Sequence, residues 1–411
     1  MYGKLVLLKL SFYILVSESL FLGILWKINK IKLKTLLPYV LIICIKLFLV
    51  LGFVFYDAKF PPDIPLVFDL GLMWSLGFLF SLPLLLVYLT IFLIQTKRVH
   101  KTKTNTIPSD NNQELISRKA LFHKGTSLLT TSLKYSPILG TTGFVSGMLL
   151  GSREIVVENI PIGLKNLGRE FHGYKIMQLS DIHIGPSLPA QQMLFCIDRI
   201  KNHKADLLVV TGDILDFSLL YIQDVVHFFK AIKPYFSDGI YCVLGNHDFF
   251  DDHKVFLNHM QQTGITFLRN QTITIQKGSS IINLLGMDYA WPYHGIYGER
   301  MKLAQKLFAQ TQNNIVSDGP NILLNHDPAD FIWLQKKSID LVLSGHTHGG
   351  HIKLSSSNKS IVNPVSWVYP YYSGYYEEKG SKLYVNRGLS HTLPIRVGAP
   401  PEITILELRK V

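Results

Sequence analysis

Leu207-Leu208-Val209-Val210-Thr211-Gly212-Asp213-Ile214-Leu215-Asp216 is the stretch that decides the fold. Its almost wholly apolar first half reads as a strand covered on both faces. The carboxylates beyond the glycine read as polar groups released at the strand's carboxyl end. The same grammar recurs along the chain. Lys175–Ser180 runs into Asp181-Ile182-His183, and Ile240–Leu244 into Gly245-Asn246-His247-Asp248. Asn321–Leu324 runs into Asn325-His326-Asp327, and Ile339–Ser344 into Gly345-His346-Thr347-His348-Gly349-Gly350. Ligands of open α/β sheets gather beside the carboxyl ends of the strands, so separate blocks can meet at one point. A single Asp-x-His carries little information. An ordered series of carboxylate, imidazole and amide blocks, each at a strand end, points to a metal site. Within an extended segment, residues i and i+2 face the same side. Asp181 and His183 are therefore expected to point inward together, and so are His346 and His348. Gly212, Gly245, Gly345 and Gly349 allow tight backbone turns beside the metals.

This order of blocks resembles the calcineurin-like metallophosphoesterases, whose signature is D-x-H, G-D-x-x-D, G-N-H-D/E, a lone His and G-H-x-H. The resemblance runs over residues 156–411, and no block lacks a metal-binding position. The tail adds Leu383-Tyr384-Val385-Asn386-Arg387-Gly388-Leu389, Leu393-Pro394-Ile395-Arg396 and Pro401-Glu402-Ile403-Thr404. It is similar to the membrane-associated bacterial branch that includes enzymes acting on UDP-2,3-diacylglucosamine. The family implies an α/β (α+β) four-layer αββα sandwich and a pair of divalent cations, Mn, Fe or Zn. It implies hydrolysis of a phosphoester or phosphoanhydride by a hydroxide bridging those ions.

Two cations about 3.5–4 Å apart can hold the attacking and leaving oxygens of an in-line displacement. Such a pair needs a bridging carboxylate, and Asp213 in the middle block is the natural one. By family correspondence Asp181, His183 and His348 complete the first metal, and Asn246, His326 and His346 the second. The amide of Asn246 adds no negative charge, which keeps the site electrophilic. His247 carries no metal in the family and is expected to protonate the leaving oxygen or hold a phosphate oxygen. Asp248 is expected to orient its imidazole. Asp216 reads as an orienting or helix-capping residue, and His351 as a pocket-shaping one. Arg387 and Arg396 are candidates to grip a substrate phosphate with paired donors, or to support the fold as ion pairs. The stretch Trp367-Val368-Tyr369-Pro370-Tyr371-Tyr372-Ser373-Gly374-Tyr375-Tyr376 reads as a loop. It can line an acyl or base pocket, dip into a membrane interface, or simply pack.

Composition divides the chain near residue 151. The first 151 residues hold 16 Lys+Arg against 6 Asp+Glu, and the remainder 25 against 23, so most of the +12 charge is N-terminal. That charge clusters at the edges of apolar runs, as membrane topology requires, which makes nucleic acid the weaker partner. Residues 5–28, 36–56 and 66–94 are each long enough for a membrane helix, which takes about 20 residues. The expected organisation is a three-helix transmembrane region over 1–98, a polar basic linker over 99–125, a possible fourth transmembrane or interfacial segment over 126–151, and a catalytic domain over 152–411. A spanning fourth segment would place that domain outside the cytoplasm, and an interfacial one inside. Cys44, Cys196 and Cys242 form no CxxC and are read as small core residues. The expected activity is hydrolysis of a lipid-linked phosphate substrate at a bacterial membrane, with a phosphoprotein phosphatase or soluble phosphodiesterase as the alternative.

Overall fold

The computed structural model describes residues 154–411, apart from 189, 217, 292–296, 317, 352, 354–362 and 391–395. The expected membrane region, linker and fourth apolar segment lie outside the described residues. Among the described residues, no helix is long and apolar enough to cross a membrane.

Among the described residues, two six-stranded mixed sheets form the scaffold. The first holds β1 (Val156–Leu164), β2 (Lys175–Leu179), β3 (Leu207–Thr211), β4 (Ile240–Val243), β5 (Thr266–Phe267) and β12 (Glu402–Lys410), in the order β1-β12-β2-β3-β4-β5. The second holds β6 (Gln271–Lys277), β7 (Ser280–Met287), β8 (Asn321–Asn325), β9 (Leu341–Ser344), β10 (Gly374–Glu378) and β11 (Ser381–Val385), in the order β10-β11-β9-β8-β7-β6. Within them, β2, β3, β4 and β5 run parallel, as do β7, β8, β9 and β11.

Alternation along β3 explains the layering. Leu207 and Val209 pack in one cluster with Leu284, Ile322, Leu324 and Leu343, which line the inner face of the other sheet. Leu208 and Val210 point the opposite way, toward α1 (Ala190–Lys201), α2 (Ile222–Ile232) and α3 (His253–Met260). On the far side of the second sheet, Leu285, Leu323 and Val342 meet α4 (Tyr297–Thr311) and α5 (Phe331–Leu334). The result is helices, sheet, sheet, helices, which is the expected αββα layering. Because both faces of β3 are covered, all five of its residues are buried. Each such Leu or Val contributes about 1.5–3 kcal/mol. Cys196 and Cys242 are buried thiols, as expected of small core residues.

The expected strands appear within a residue or two of their expected bounds. The aromatic stretch departs from expectation at its end, where Gly374–Glu378 is a strand paired antiparallel to β11 rather than loop. The two sheets are tied together at their carboxyl ends. Gln178 donates to the carbonyl of Ser344 (3.0 Å), and the amide of Asn386 donates to that same carbonyl (2.9 Å). The amides of Leu389 and Ser390 donate to the carbonyls of Ser180 and Asp181. The tail after β11 is thereby held against the turn that follows β2.

Candidate metal centre

Five turns, those after β2, β3, β4, β8 and β9, deliver side chains to one place, and the tail after β11 backs them. The backbone reaches it through left-handed conformations. Asp181 (φ 47°), His183 (φ 46°), Asp213 (φ 52°), His346 (φ 70°) and His348 (φ 49°) all have positive φ. For residues with a Cβ this region is sparsely populated and mildly strained, and such positions cluster at functional sites. The expected reason for convergence is therefore corrected: Asp181 and His183 lie beyond the end of β2 and converge through turns, not through strand alternation. Glycine is needed where the turns crowd. A Cβ on Gly212 would stand 2.6 Å from the Gly245 nitrogen, and one on Gly245 would stand 2.2 Å from Asp213 Oδ1.

Two triads of potential ligands result, Asp181 with His183 and His348, and Asp213 with His326 and His346. A further grouping, His183 with Asp216 and His247, extends the first toward the rim. Asp213 joins the two triads. Its Oδ1 accepts from the His247 amide (2.8 Å), which leaves Oδ2 at 3.7 Å from His183 Nε2 and 3.3 Å from His326 Nε2. One carboxylate oxygen thus faces both clusters. Asn246 Oδ1 lies 3.2 Å from His326 Nε2, and His346 Nδ1 lies 3.2 Å from that same nitrogen. In the first cluster, His348 Nε2 is 3.5 Å from Asp181 Oδ1, and the His346 amide donates to both oxygens of Asp181.

The outer ring nitrogens fix which atoms face inward. His326 Nδ1 lies 2.7 Å from the Thr211 carbonyl, and His348 Nδ1 lies 3.2 Å from the Ser390 carbonyl. The Thr211 carbonyl can only accept, so His326 Nδ1 carries a proton and Nε2 is the atom left to face a cation, whereas His348 Nδ1 also lies 3.3 Å from the donor Nη2 of Arg396. Lone pairs of Asp213, Asn246 and His326 then converge with the ring of His346, an arrangement that a cation satisfies. The mixed oxygen and nitrogen donor set suits borderline first-row metals. The residues fit a pair of divalent ions.

Electrostatics say the same. Burial alone would lift Asp213, but the imidazoles of His326 and His247 hold it well below the usual carboxylate range. Burial alone would lower His326, and the Asp213 carboxylate reverses this, pushing it up to about 10. Burial lifts Asp181 and Asp216, each to about 6. Burial also lowers His346, to about 4, and His348. A buried acidic pocket without a metal recruits a proton in its place.

His247 sits at the partly exposed rim. Its Nδ1 lies 2.9 Å from the Asp216 carbonyl, and its ring is edge-on to His183 (4.5 Å) and Phe250 (4.6 Å). The expected role of Asp248 is corrected. Its carboxylate accepts from the amides of Ile214 (2.9 Å), Leu215 (3.0 Å) and Gly245 (2.9 Å), so it ties the β3 and β4 turns together. Asp216 orients the imidazole through its main chain, while its carboxylate accepts from Ser187.

Arg387 and Arg396 do not reach outward as phosphate grips. Arg387 pairs with Glu402 (2.9 Å) and Glu158 (2.9 Å). Arg396 is fully buried and donates to the carbonyls of His348, Arg387, Ala399 and Ser390. Both support the wall behind His348. His351 stacks on the His348 ring (5.1 Å) and is absent from both triads.

Two residues near the centre carry no motif. Tyr289 lies beside His326 (6.1 Å) and His346 (6.0 Å), under the guanidinium of Arg300. Tyr369 bonds His346. Only the apolar run of β7 hinted at the first, and the aromatic stretch at the second.

The sequence matches the calcineurin-like phosphoesterase family over residues 174–350. It is 34% identical over 246 residues to the uncharacterized metallophosphoesterase YkuE of Bacillus subtilis, covering 58% of this chain and 80% of that protein. It is 26% identical over 280 residues to a transmembrane protein with metallophosphoesterase domain of Danio rerio, covering 65% of this chain and 60% of that protein. An uncharacterized metallophosphoesterase of Helicobacter pylori strain J99 is 28% identical over 277 residues, covering 67% of this chain and 69% of that protein.

Proposed function

The chain belongs to the calcineurin-like phosphoesterase family, and from that premise we propose that it uses two divalent cations to hydrolyse a phosphoester or pyrophosphate bond in a lipid-linked substrate. The observation that carries the dinuclear part is the placement of Asp213 Oδ2 between His183 and His326. In this reading Asp181, His183 and His348 hold one ion, Asn246, His326 and His346 the other, and Asp213 both. Bound ions of this kind supply Lewis acidity and an activated water.

The chain's own residues do the rest. Asp213 is anchored by the His247 amide, so its shared oxygen stays in place as charge shifts. His247 is oriented by the Asp216 carbonyl through Nδ1, and in its imidazolium form it gives the Nε2 proton to the departing oxygen. The partly exposed side formed by Asn246, His247 and His346 is where a substrate enters.

The lipid part rests on the apolar N-terminal segments, on the transmembrane relative from Danio rerio, and on the loop tip at Val368, which is 76% exposed. UDP-2,3-diacylglucosamine is the first substrate to try. Purified full chain with Mn²⁺ should hydrolyse it far faster than its deacylated counterpart. Val368→Glu should shrink that preference without slowing hydrolysis of a soluble diester. Equal turnover of soluble diesters, phosphopeptides and the acylated substrate would remove the lipid reading and leave the phosphoesterase intact.

A further inference from the structure

The hydroxyl of Tyr369 lies 3.0 Å from His346 Nε2, and the two rings meet nearly edge-on at 5.7 Å. His346 is the histidine of the second cluster whose Nδ1 turns inward, toward His326 Nε2 at 3.2 Å. Its outer nitrogen therefore needs a partner that leaves Nδ1 as a lone pair. At His326 the Thr211 carbonyl plays the matching part on Nδ1 and leaves Nε2 facing inward. For His346 the partner comes from the aromatic loop.

That loop is fastened to the same turn at other points. Thr347 donates to the Tyr372 carbonyl (2.7 Å), and Asn363 donates to the Gly349 carbonyl (3.1 Å). Tyr371 and Tyr372 are buried, and Tyr371 packs edge-on against Phe331. The loop is thus a brace on the metal-side turn, with Val368 at its exposed tip.

We infer that Tyr369 is a positioning residue for the second cation: it accepts from the Nε2–H of His346, fixes Nδ1 as the metal-facing atom, and couples the aromatic loop to occupancy of that site. The inference rests on the dinuclear reading above. Partners of this outer kind typically change metal affinity about 10–100-fold when removed.

The test is calorimetric titration of the metal-free full chain with Mn²⁺. Native protein binding two ions supports the dinuclear reading independently of Tyr369. Tyr369→Phe keeps the ring and removes the hydroxyl, and it should weaken one ion about 10–100-fold while the other stays within about twofold. In a His346→Ala background the same change should have no further effect, as expected when one residue acts through the other. Native-like binding of both ions by Tyr369→Phe would overturn the inference. Equal weakening of both ions, or an additive loss in the His346→Ala background, would overturn it too, because either marks a general structural role. Failure of the native chain to bind a second ion would instead remove the dinuclear reading itself.

Discussion

His247 Nδ1 lies 2.9 Å from the carbonyl oxygen of Asp216, and that one contact sets the orientation of the imidazole. The carbonyl accepts a hydrogen bond from Nδ1–H, so Nε2 is the nitrogen assigned to the leaving oxygen. His247→Asn should keep both ions and lower turnover on a poor leaving group by roughly 10²–10⁴-fold. A nitrophenyl ester, which departs without a proton, should suffer far less. Equal losses on both substrates would leave His247 with phosphate positioning alone.

Asp248 binds three amides from two different turns, so its loss should register in stability before it registers in chemistry. Asp248→Ala leaves those buried donors without an acceptor, and should destabilise the protein by about 2–4 kcal/mol. Denaturant unfolding of the metal-free protein measures this. Unchanged stability, with turnover reduced as in His247→Asn, would restore the direct orienting role that the distances argue against.

The metal-free protein should also lose stability as pH rises above neutrality. Asp248 is lifted to about 7 by burial and by the neighbouring Asp213 charge, and His326 is lifted to about 10, where the Asp213 carboxylate outweighs burial. Each therefore holds more proton in the folded state than in the unfolded one. The stability this supplies is lost between the unfolded and folded values, up to about 7 for Asp248 and from 6.5 toward about 10 for His326, so His326 carries the loss above neutrality. The lowered His346 and His348 act in the opposite direction, costing stability as pH falls below 6.5. Unfolding midpoints without metal should thus decrease from about pH 6.5 to about pH 9, and change less with saturating Mn²⁺. A metal-free midpoint that rises over that interval would contradict the charge assignment.

Much of this arrangement was legible in the residues, for a definite reason. Strands such as Leu207–Thr211 are covered on both faces, so their apolar runs are unbroken and their ends are marked by the first polar group. Edge strands send a weaker signal. Gly374–Glu378 pairs with β11 alone among the described strands and is only half-buried, so its tyrosines read as loop. Side-chain partners were the least legible. Asp248 neighbours His247 in sequence, yet its carboxylate faces the β3 turn, because a 3-10 turn over His247–Phe249 sends consecutive side chains in different directions. From its type Arg396 reads as an anion grip or a fold-supporting ion pair, and the tail folds it inward against four carbonyls. Left-handed backbone at Asp181 and His183 leaves no mark in composition at all.

Metal stoichiometry and electron paramagnetic resonance of Mn²⁺-loaded protein test whether one oxygen of Asp213 serves two cations. The native chain should bind two ions and show the signature of an exchange-coupled pair. Asp213→Asn removes the shared charge, and should lose the coupled signal, at least one ion and most turnover. Two tightly bound, coupled ions and near-native turnover in Asp213→Asn would show that Asp213 does not bridge them.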